Sequence, residues 1–311
     1  MRRRIVYVCA LLQGNITMNT KANEHYSALV ADFIRQLEQG ALPWRNPVVA
    51  RSGGLQVRAN GEPYQGTNQI ACMMAVIKHG FTSNQWLTFN QGKALGARLH
   101  AGSKAGAYIY MPQNRVRKNE ETGEVESAWT DFKAKAVFNA SQWDGLPDMY
   151  STPVDELRDN PACEPFDVYF ANVGANITHS DQARMFYSPA GDFIHMPHRN
   201  MFENSGRYYS TLAHEHVHWT GAKTRLDRLN HKRFGDPAYA FEELVAELGA
   251  AFLVASMGAL PVDHQDHASY LGSWVRALKE KPQILRTAAS EASKAVDYMN
   301  ELQEADTALA A

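Results

Sequence analysis

The segment LAHEHVHWTGAKT, residues 212–224, restricts the fold of this 311-residue chain more than any other feature. It places His214, Glu215 and His218 in the order HExxH, within a run that reads as a helix. Histidines four residues apart lie on one helix face, where both rings can bind one Zn²⁺, and the intervening glutamate can reach a metal-bound water. The pattern therefore predicts a metal-dependent hydrolase site on a helix.

A catalytic zinc site of this type needs a third protein ligand and an open coordination position. The metzincin pattern HExxHxxGxxH fails here, because Thr224 occupies the position of the third histidine. Downstream, AFEELVAELGAAF places Glu243 and Glu247 one helical turn apart. This spacing resembles the gluzincin pattern, which implies that Glu243 is the third ligand and that Glu247 orients a ligand histidine. We expect Glu242 to point elsewhere.

The chemistry of such a site is peptide hydrolysis. Zn²⁺ lowers the pKa of its bound water from about 16 to about 7, Glu215 takes the proton, and the hydroxide attacks a carbonyl that the metal polarises. We expect one Zn²⁺ per chain, with Mn²⁺ or another divalent metal as the alternative. Candidates for stabilising the developing oxyanion are His195, His198, His231 and Tyr239.

Two neighbours of the motif have expected structural roles. His216 lies between the ligand histidines, and positions i and i+2 do not share a helix face, so we expect it to be structural. The run DFIHMP, residues 192–197, predicts a strand at the edge of the cleft, where an extended peptide could pair with it. A packing strand without a substrate role is the alternative.

Charge divides the chain into two unlike halves. Residues 1–150 carry 17 Lys and Arg against 11 Asp and Glu, a balance of +6, whereas residues 151–311 carry 14 against 22, a balance of −8. A basic block of this kind favours a polyanionic partner. A solvated surface with a chance excess of basic residues is the alternative.

Length and pattern predict two domains of the α+β class. Apolar spacing predicts a helix over residues 23–39, and a long β-hairpin follows Gly106, so the first domain, residues 18–150, is α+β. The proline-rich residues 151–165 are the expected linker. The second domain, residues 166–311, is expected to begin with two β-type runs, FDVYFANVG and GDFIHMP, and to continue with helices.

Residues 1–17 imitate a secretory signal, with a basic start and a short apolar stretch, but no small-x-small cleavage site follows. We therefore interpret them as a leader outside the fold, and a cleaved signal is the alternative. Three widely spaced cysteines without a CxxC pair do not form a disulfide framework. No apolar run reaches the ~18–20 residues that a membrane span needs. These features predict a cytoplasmic protein without a membrane segment.

The basic half interleaves aromatic and amide side chains with its charges, as in PWRNP, PYQGTN and NQWLTFNQGKALGARLHAGSK. Unpaired bases stack on aromatic rings while Lys and Arg neutralise phosphates, so such a surface suits single-stranded nucleic acid. A core position is the alternative for each tryptophan. The candidate DNA-binding residues are Arg45, Arg51, Arg58, Trp86, Lys93, Arg98 and Lys104.

Seven stretches, in the same order across both halves, resemble the ArdC-type antirestriction proteins of conjugative plasmids. They are LEQGALPWRNP, PYQGTN, QWLTFNQGKALGARLHAGSKAGAYIYMP, VFNASQWDGLP, YYSTLAHEHVHWTGAKTRLDR, FEELVAELGAAFL and SYLGSWVRALKEKPQILRTAASEASKAVDYM. The resemblance implies an N-terminal domain that binds single-stranded DNA and a C-terminal zincin-like metallopeptidase domain. It also implies protection of incoming plasmid DNA from host restriction. The sequence does not name the protein target, for which a restriction factor is our hypothesis.

Two other functions stay open from the sequence. The first is a protein that binds or occludes single-stranded DNA and whose zinc site is structural or vestigial, without required proteolysis. The second is a metal-dependent nuclease, which is less favoured because no carboxylate cluster for paired Mg²⁺ is evident.

Overall fold

The computed structural model describes residues 17–46, 48–49, 52–118, 125–151, 161–229, 237–261 and 268–309. The predicted α+β class is confirmed. Arg51, His231, residues 152–160 of the expected linker and residues 1–16 of the expected leader lie outside the described residues.

The main elements follow one another in chain order. They are β1 (Thr17–Met18), α1 (Thr20–Glu38), β2 (Val57–Arg58), α2 (Gly66–His79), β3 (Gln85–Leu87), α3 (Phe89–Ala94), β4 (Arg98–Leu99), β5 (Ala107–Lys118), β6 (Val125–Asn139), β7 (Trp143–Asp144), α4 (Asp148–Ser151), α5 (Cys163–Val173), β8 (Asn176–Ser180), β9 (Phe186–Ser188), β10 (Phe193–Pro197), α6 (Ser205–Thr220), α7 (Pro237–Ser256), α8 (Ala268–Glu280) and α9 (Gln283–Leu309).

Helix α1 confirms the helical spacing seen near the N-terminus. The Asn19 side chain caps it by accepting a hydrogen bond from the Ala22 backbone N–H at 2.8 Å, and Gly40 follows its end in the left-handed conformation that favours glycine. Its buried apolar face includes Tyr26 and Phe33. Helix α1 packs against α8, which belongs to the other half of the chain.

The first half is built around the predicted long hairpin of β5 and β6. The two strands pair antiparallel from Ala107 opposite Val137 to Arg117 opposite Ser127. Strand β6 also pairs with β1 and β3, and β3 pairs with β2, which completes a five-stranded sheet. Helix α2 is buried along most of its length, because it contacts β5 and also α9.

The second half differs from the sequence prediction at its start. The run FDVYFANVG forms most of helix α5 and is not a strand. Phe166, Phe170 and Val173 are its buried residues, and their spacing of four and three fits one helix face against α9. Aromatic and β-branched residues favour strands only weakly, and tertiary packing overrides that preference here. The three-stranded sheet that follows has the order β8-β10-β9.

Helices α6 and α7 pack closely in the second half. A Cβ atom added to Gly249 on α7 would lie 2.8 Å from a methyl carbon of Val217 on α6, so only glycine allows this approach. The contact brings the HExxH helix and the downstream glutamate helix side by side.

One buried core extends through both halves of the chain, from Tyr26 to Met299. Polar contacts also join the halves: the Tyr26 hydroxyl donates to the Pro282 carbonyl at 2.7 Å, and the Gly66 N–H donates to Ser293 Oγ at 2.9 Å. The domain boundary at residues 151–165 stays a prediction. No helix in the described part of the chain has the length and apolarity to span a membrane.

Candidate metal centre and nucleic-acid surface

Helix α6 carries the HExxH motif in a protected position. Its N-terminus is capped by Asn204, whose side chain accepts a hydrogen bond from the Arg207 N–H at 2.9 Å. The helix is buried along almost its whole length, so His214 and Glu215 are enclosed and His218 is partly buried. Ionisable groups at such positions require partners.

Three side chains converge at one point. Nε2 of His214 and Nε2 of His218 lie 3.0 Å apart, and each of these nitrogens lies 3.5 Å from a different carboxylate oxygen of Glu243. Their ligand atoms all lie within 4.8 Å of one another. Two imidazole nitrogens and a carboxylate facing one point are a donor set for a divalent metal.

Glu247 lies behind this group. Its Oε1 is 3.2 Å from Nδ1 of His214, the ring nitrogen that faces away from His218. A carboxylate at the outer nitrogen fixes the tautomer and orientation of a ligand histidine. The structure thus brings together the four side chains His214, His218, Glu243 and Glu247.

Glu242 corrects the sequence analysis, because it does not point away from the site. Its Oε1 lies 3.4 Å from Nδ1 of His218, and Arg228 donates to it from Nη2 at 2.9 Å. Successive helical residues differ by about 100° in direction, so Glu242 and Glu243 reach His218 from two sides. Arg228 also donates to the Val217 carbonyl at 2.7 Å, which ties this pair to α6.

The pKa values of the cluster reflect these contacts. Burial alone would lower the pKa of both histidines, but carboxylates outweigh it: Glu242 and Glu243 raise the pKa of His218 to about 9. Glu243 and Glu247 hold the pKa of His214 well above its usual range. Burial alone would raise the pKa of Glu243, but the two imidazoles hold it well below its usual range. Without a metal, these contacts favour the protonated forms of both imidazoles.

The three converging side chains open onto a cavity of about 180 Å³. Glu215 also lines it without belonging to the group of three. Tyr239 and Tyr270 line the same cavity, with their hydroxyls 3.4 Å apart. The remaining lining residues are Met185, Phe186, Tyr187, Pro189 and Leu229.

The strand at this cavity is not the one expected from the sequence. Strand β10, within the run DFIHMP, is the central strand of its sheet and pairs with β8 and β9. Both of its edges are therefore occupied. Strand β9 borders the cavity instead, through Phe186 and Tyr187.

The candidates for oxyanion stabilisation differ in whether they line the cavity. His195 is buried in the sheet, with Nε2 2.8 Å from Ser180 Oγ and Nδ1 2.7 Å from the Arg184 carbonyl oxygen. Neither His195 nor His198 lines the cavity, whereas Tyr239 does. Tyr270, which lies in the stretch SYLGSW and has no site role predicted from the sequence, lines it too.

His216 is fully buried on another side of α6, as the sequence predicted. Its Nδ1 lies 2.7 Å from the Leu212 carbonyl oxygen, and its ring packs against Phe170. Burial lowers the pKa of His216 to about 4, so the ring is neutral at physiological pH. Its role is therefore in the core.

Trp86 does not present a stacking face and is corrected here. The side chain is fully buried, its Nε1 donates to Gln56 Oε1 at 2.9 Å, and Phe81 packs edge-on against its ring. A base cannot reach it. Its position on β3 faces the core, so the core alternative for this tryptophan is the one observed.

The other candidate DNA-binding residues fall into two groups. Lys93, Arg98 and Lys104 are exposed on α3, on β4 and in the loop before β5. Arg58 lies on β2 and pairs with Glu62 at 3.1 Å. Arg45 is half-buried and precedes β2, so neither arginine is on the elements that carry the first group. The structure thus brings only part of the predicted set together.

Comparisons with known proteins match both halves of the chain. A family model for the N-terminal domain of anti-restriction factor ArdC matches residues 23–138, and one for a zincin-like metallopeptidase matches residues 164–291. The metal-free crystal structure of the antirestriction ArdC protein from plasmid R388 is 39% identical, with a TM-score of 0.77, and the match covers 89% of this chain and 97% of that one. The chain belongs to the ArdC family of antirestriction proteins.

Other relatives extend this picture. The Mn(II)-bound crystal structure of the R388 ArdC protein matches at 37% identity and a TM-score of 0.73, with 89% and 97% of the two chains covered. Protein y4eC of Sinorhizobium fredii is 31% identical, over 89% of this chain and 92% of its own length. A DNA primase TraC of Escherichia coli is 33% identical over 86% of this chain, but the chain spans only 26% of that primase.

Proposed function

We propose that this ArdC-family chain is a zinc-dependent peptidase whose basic half binds single-stranded DNA, and that it protects incoming plasmid DNA from host restriction. The peptidase part rests on one observation: His214, His218 and Glu243 converge at a cavity that Glu215 also lines. The Mn(II)-bound structure of the R388 relative supports a divalent metal.

The donor set fits Zn²⁺, which in catalytic sites takes three protein ligands from His, Glu and similar groups. His214 and His218 would bind through Nε2, because Nδ1 of each ring lies against a carboxylate. Glu243 would supply the third ligand. A bound Zn²⁺ would act as a Lewis acid that polarises the scissile carbonyl.

Glu215 is the proposed general base. It lines the cavity, is almost completely buried, and lies next to His214 in the chain. Its carboxylate would accept a proton from the attacking water and then donate a proton to the leaving amine. The hydroxyls of Tyr239 and Tyr270 are donors at the same cavity and would stabilise the developing oxyanion.

Strand β9 is the proposed substrate-binding edge. Among the described strands it pairs only with β10, so its other edge can accept an extended peptide. Strand addition would satisfy the backbone groups of the peptide and bring a carbonyl group into the cavity. Such a peptidase would recognise mainly the backbone of its substrate, and residues beside the strand, such as Phe186, would set its side-chain preference.

The DNA-binding part rests on the basic character of residues 18–118, with 12 Lys and Arg against 4 Asp and Glu, and on the family membership. Binding along a single strand would raise the local concentration of the peptidase near proteins on that DNA. A restriction factor is the proposed target. DNA enters a recipient as a single strand, so the protein would bind it at an early stage of plasmid transfer.

Plasmid transfer into a restricting recipient tests the whole proposal. Wild type is compared with Glu215→Gln at equal expression and equal metal content, so that only the proton-transfer group changes. We expect the variant to lose protection. Retained protection would show that hydrolysis is dispensable and would favour occlusion of the DNA, with the zinc site structural.

A direct assay separates the two parts. Purified wild type and Glu215→Gln are incubated with an unfolded protein substrate, with and without single-stranded DNA. We expect cleavage only by wild type, and faster cleavage of a DNA-bound substrate. Absence of cleavage by metal-loaded wild type would contradict the peptidase function.

A further inference from the structure

We infer that single-stranded DNA stacks on a cluster of three rings, Phe89, Phe138 and Trp143, while Lys93, Arg98 and Lys104 contact its phosphates. The three rings are called the aromatic platform below. This inference rests on the proposed DNA-binding function and gives it a site.

The platform is a continuous set of rings on the first half of the chain. The centroid of Phe89 lies 6.4 Å from that of Phe138 and 6.1 Å from that of Trp143, and the latter two are 5.9 Å apart. Phe89 is 49% exposed, whereas Trp143 is buried and Phe138 is half-buried. One ring thus faces solvent and two rings support it from below.

Local structure holds the exposed ring in place. Phe89 is the first residue of α3, directly after Thr88, whose hydroxyl accepts a hydrogen bond from the Gln91 N–H in a capping box. Gly92 lies against the Trp143 ring so closely that an added Cβ would be 2.4 Å from it. The ring of Phe89 therefore rests on a packed base, which lowers the entropy lost on binding.

Three exposed cations lie on elements that include or adjoin residues of the platform. Lys93 follows Phe89 by one helical turn and shares its face of α3. Arg98 pairs across strands β4 and β7 with Asp144, the residue after Trp143. The Lys104 carbonyl accepts a hydrogen bond from Gln142 Nε2 at 3.0 Å, so that loop is fixed beside the residue before Trp143.

The charge of this surface is positive. Within the described part of the chain, no carboxylate lies within ion-pair distance of Lys93, Arg98 or Lys104. The acid on β7, Asp144, lies 3.0 Å from His100 Nε2 and so already has a polar partner. Exposed cations around an exposed aromatic ring are complementary to a polyanion that also carries flat bases.

These features favour a single strand over a duplex. Bases in a duplex stack on one another and do not offer their faces to a ring, whereas the bases of a single strand do. Trp86 was the aromatic residue expected to stack, but it is in the core. Phe89, three residues later in the segment QWLTF, is the exposed one.

Fluorescence anisotropy of a labelled oligothymidylate with the full-length chain tests the platform. Phe89→Leu keeps an apolar side chain but removes the ring, and we expect about tenfold weaker binding. Phe89→Tyr keeps the ring and should bind like wild type. Val168→Ala is the matched control, because Val168 is 55% exposed on α5 in the other half.

A salt titration tests the cations. Replacing Lys93, Arg98 and Lys104 together by glutamine should reduce the slope of log affinity against log salt by about 2, at ~0.7 per lost contact on a single strand. The control replaces three exposed lysines elsewhere, Lys223, Lys281 and Lys294, and should leave the slope unchanged. Duplex DNA of equal length should compete weakly.

The results of these experiments show separately whether the DNA-binding function is wrong or only the proposed aromatic platform. If the unchanged chain does not bind the oligonucleotide, both the DNA-binding function and the platform are wrong. If it binds, and Phe89→Leu and the triple variant bind equally well, only the platform is wrong. Thermal unfolding of each variant shows whether a loss of binding comes from a loss of folding.

Discussion

Nδ1 of His214 lies 3.2 Å from Oε1 of Glu247, one helical turn beyond Glu243 on the same helix. Helix α7 therefore supplies both the carboxylate that faces the metal position and the carboxylate that orients a histidine. Loss of a carboxylate that orients a ligand histidine typically weakens metal binding, even though the carboxylate does not touch the metal.

Replacement of Glu247 by glutamine should weaken metal binding. Glutamine keeps the shape but loses the charge that favours the required ring orientation, so we expect affinity to fall by about 10–100-fold. Competition with a chromogenic chelator measures this. Glu291→Gln, which removes a carboxylate paired with Lys294 on α9, is the control, and equal affinities for the two variants would contradict the role of Glu247.

The ion pair between Arg228 and Glu242 should matter for stability. The two side chains are 5% and 2% exposed, so Arg228→Met removes the guanidinium partner of a buried carboxylate. We expect a loss of ~3–5 kcal/mol in the free energy of unfolding, measured by urea denaturation of the metal-free chain.

The exposed pair of Arg58 and Glu62 provides the comparison. These side chains are 46% and 62% exposed, and Arg58→Met should cost no more than ~1 kcal/mol. Similar losses for the two arginine variants would mean that burial of the first pair has no energetic consequence.

The stability of the metal-free chain should depend on pH in the alkaline range. The pKa of His218 is about 9 in the folded chain, above its ordinary 6.5, because Glu242 and Glu243 outweigh the effect of burial. A raised histidine pKa contributes stability that is fully present below pH 6.5 and is lost as pH rises through about 9. The thermal midpoint should fall across that window.

The metal-saturated chain is the control for this pH effect. Metal binding requires neutral imidazoles, so the metal-loaded protein should show a much smaller decline between pH 6.5 and 9. Parallel declines in the two forms would assign the pH effect to other groups.

The tyrosine hydroxyls at the cavity should affect turnover if the peptidase function is correct. Burial holds the pKa of Tyr239 and Tyr270 above the usual range, so both stay protonated and can donate. We expect Tyr239→Phe or Tyr270→Phe to lower kcat by about 100-fold with little change in KM or metal content. Tyr298→Phe, outside the cavity, should behave as wild type, and full activity in both cavity variants would remove these residues from the mechanism.

The metal-binding side chains could be located from the sequence because their arrangement is local. Residues four apart share a helix face whatever surrounds the helix, so His214 and His218 converge by helix geometry alone. The same holds for Glu243 and Glu247. What the sequence could not specify was how α6 and α7 cross, which depends on the close packing at Gly249, and therefore Glu242 was misplaced.

The burial of individual aromatic side chains was harder to predict than the identity of the metal-binding residues. Trp86 and Phe89 lie in one short segment, and composition gave no reason to bury one and expose the other. The difference comes from distant residues: Phe81 and Gly106 pack on Trp86, while Phe89 begins a helix at the surface. The aromatic run in α5 likewise predicts a strand, because its helical partner α9 lies more than a hundred residues away in the sequence.

The hydrogen bond from Tyr26 to the Pro282 carbonyl has a consequence for synthesis, because 256 residues separate its two ends. At ~5–20 residues per second, a ribosome needs on the order of 10–50 seconds to make the intervening chain. Until then the apolar faces of α1 and α2 lack the C-terminal helices that cover them. We therefore expect the nascent N-terminal half to expose apolar surface during synthesis, and a chain truncated before α9 to aggregate.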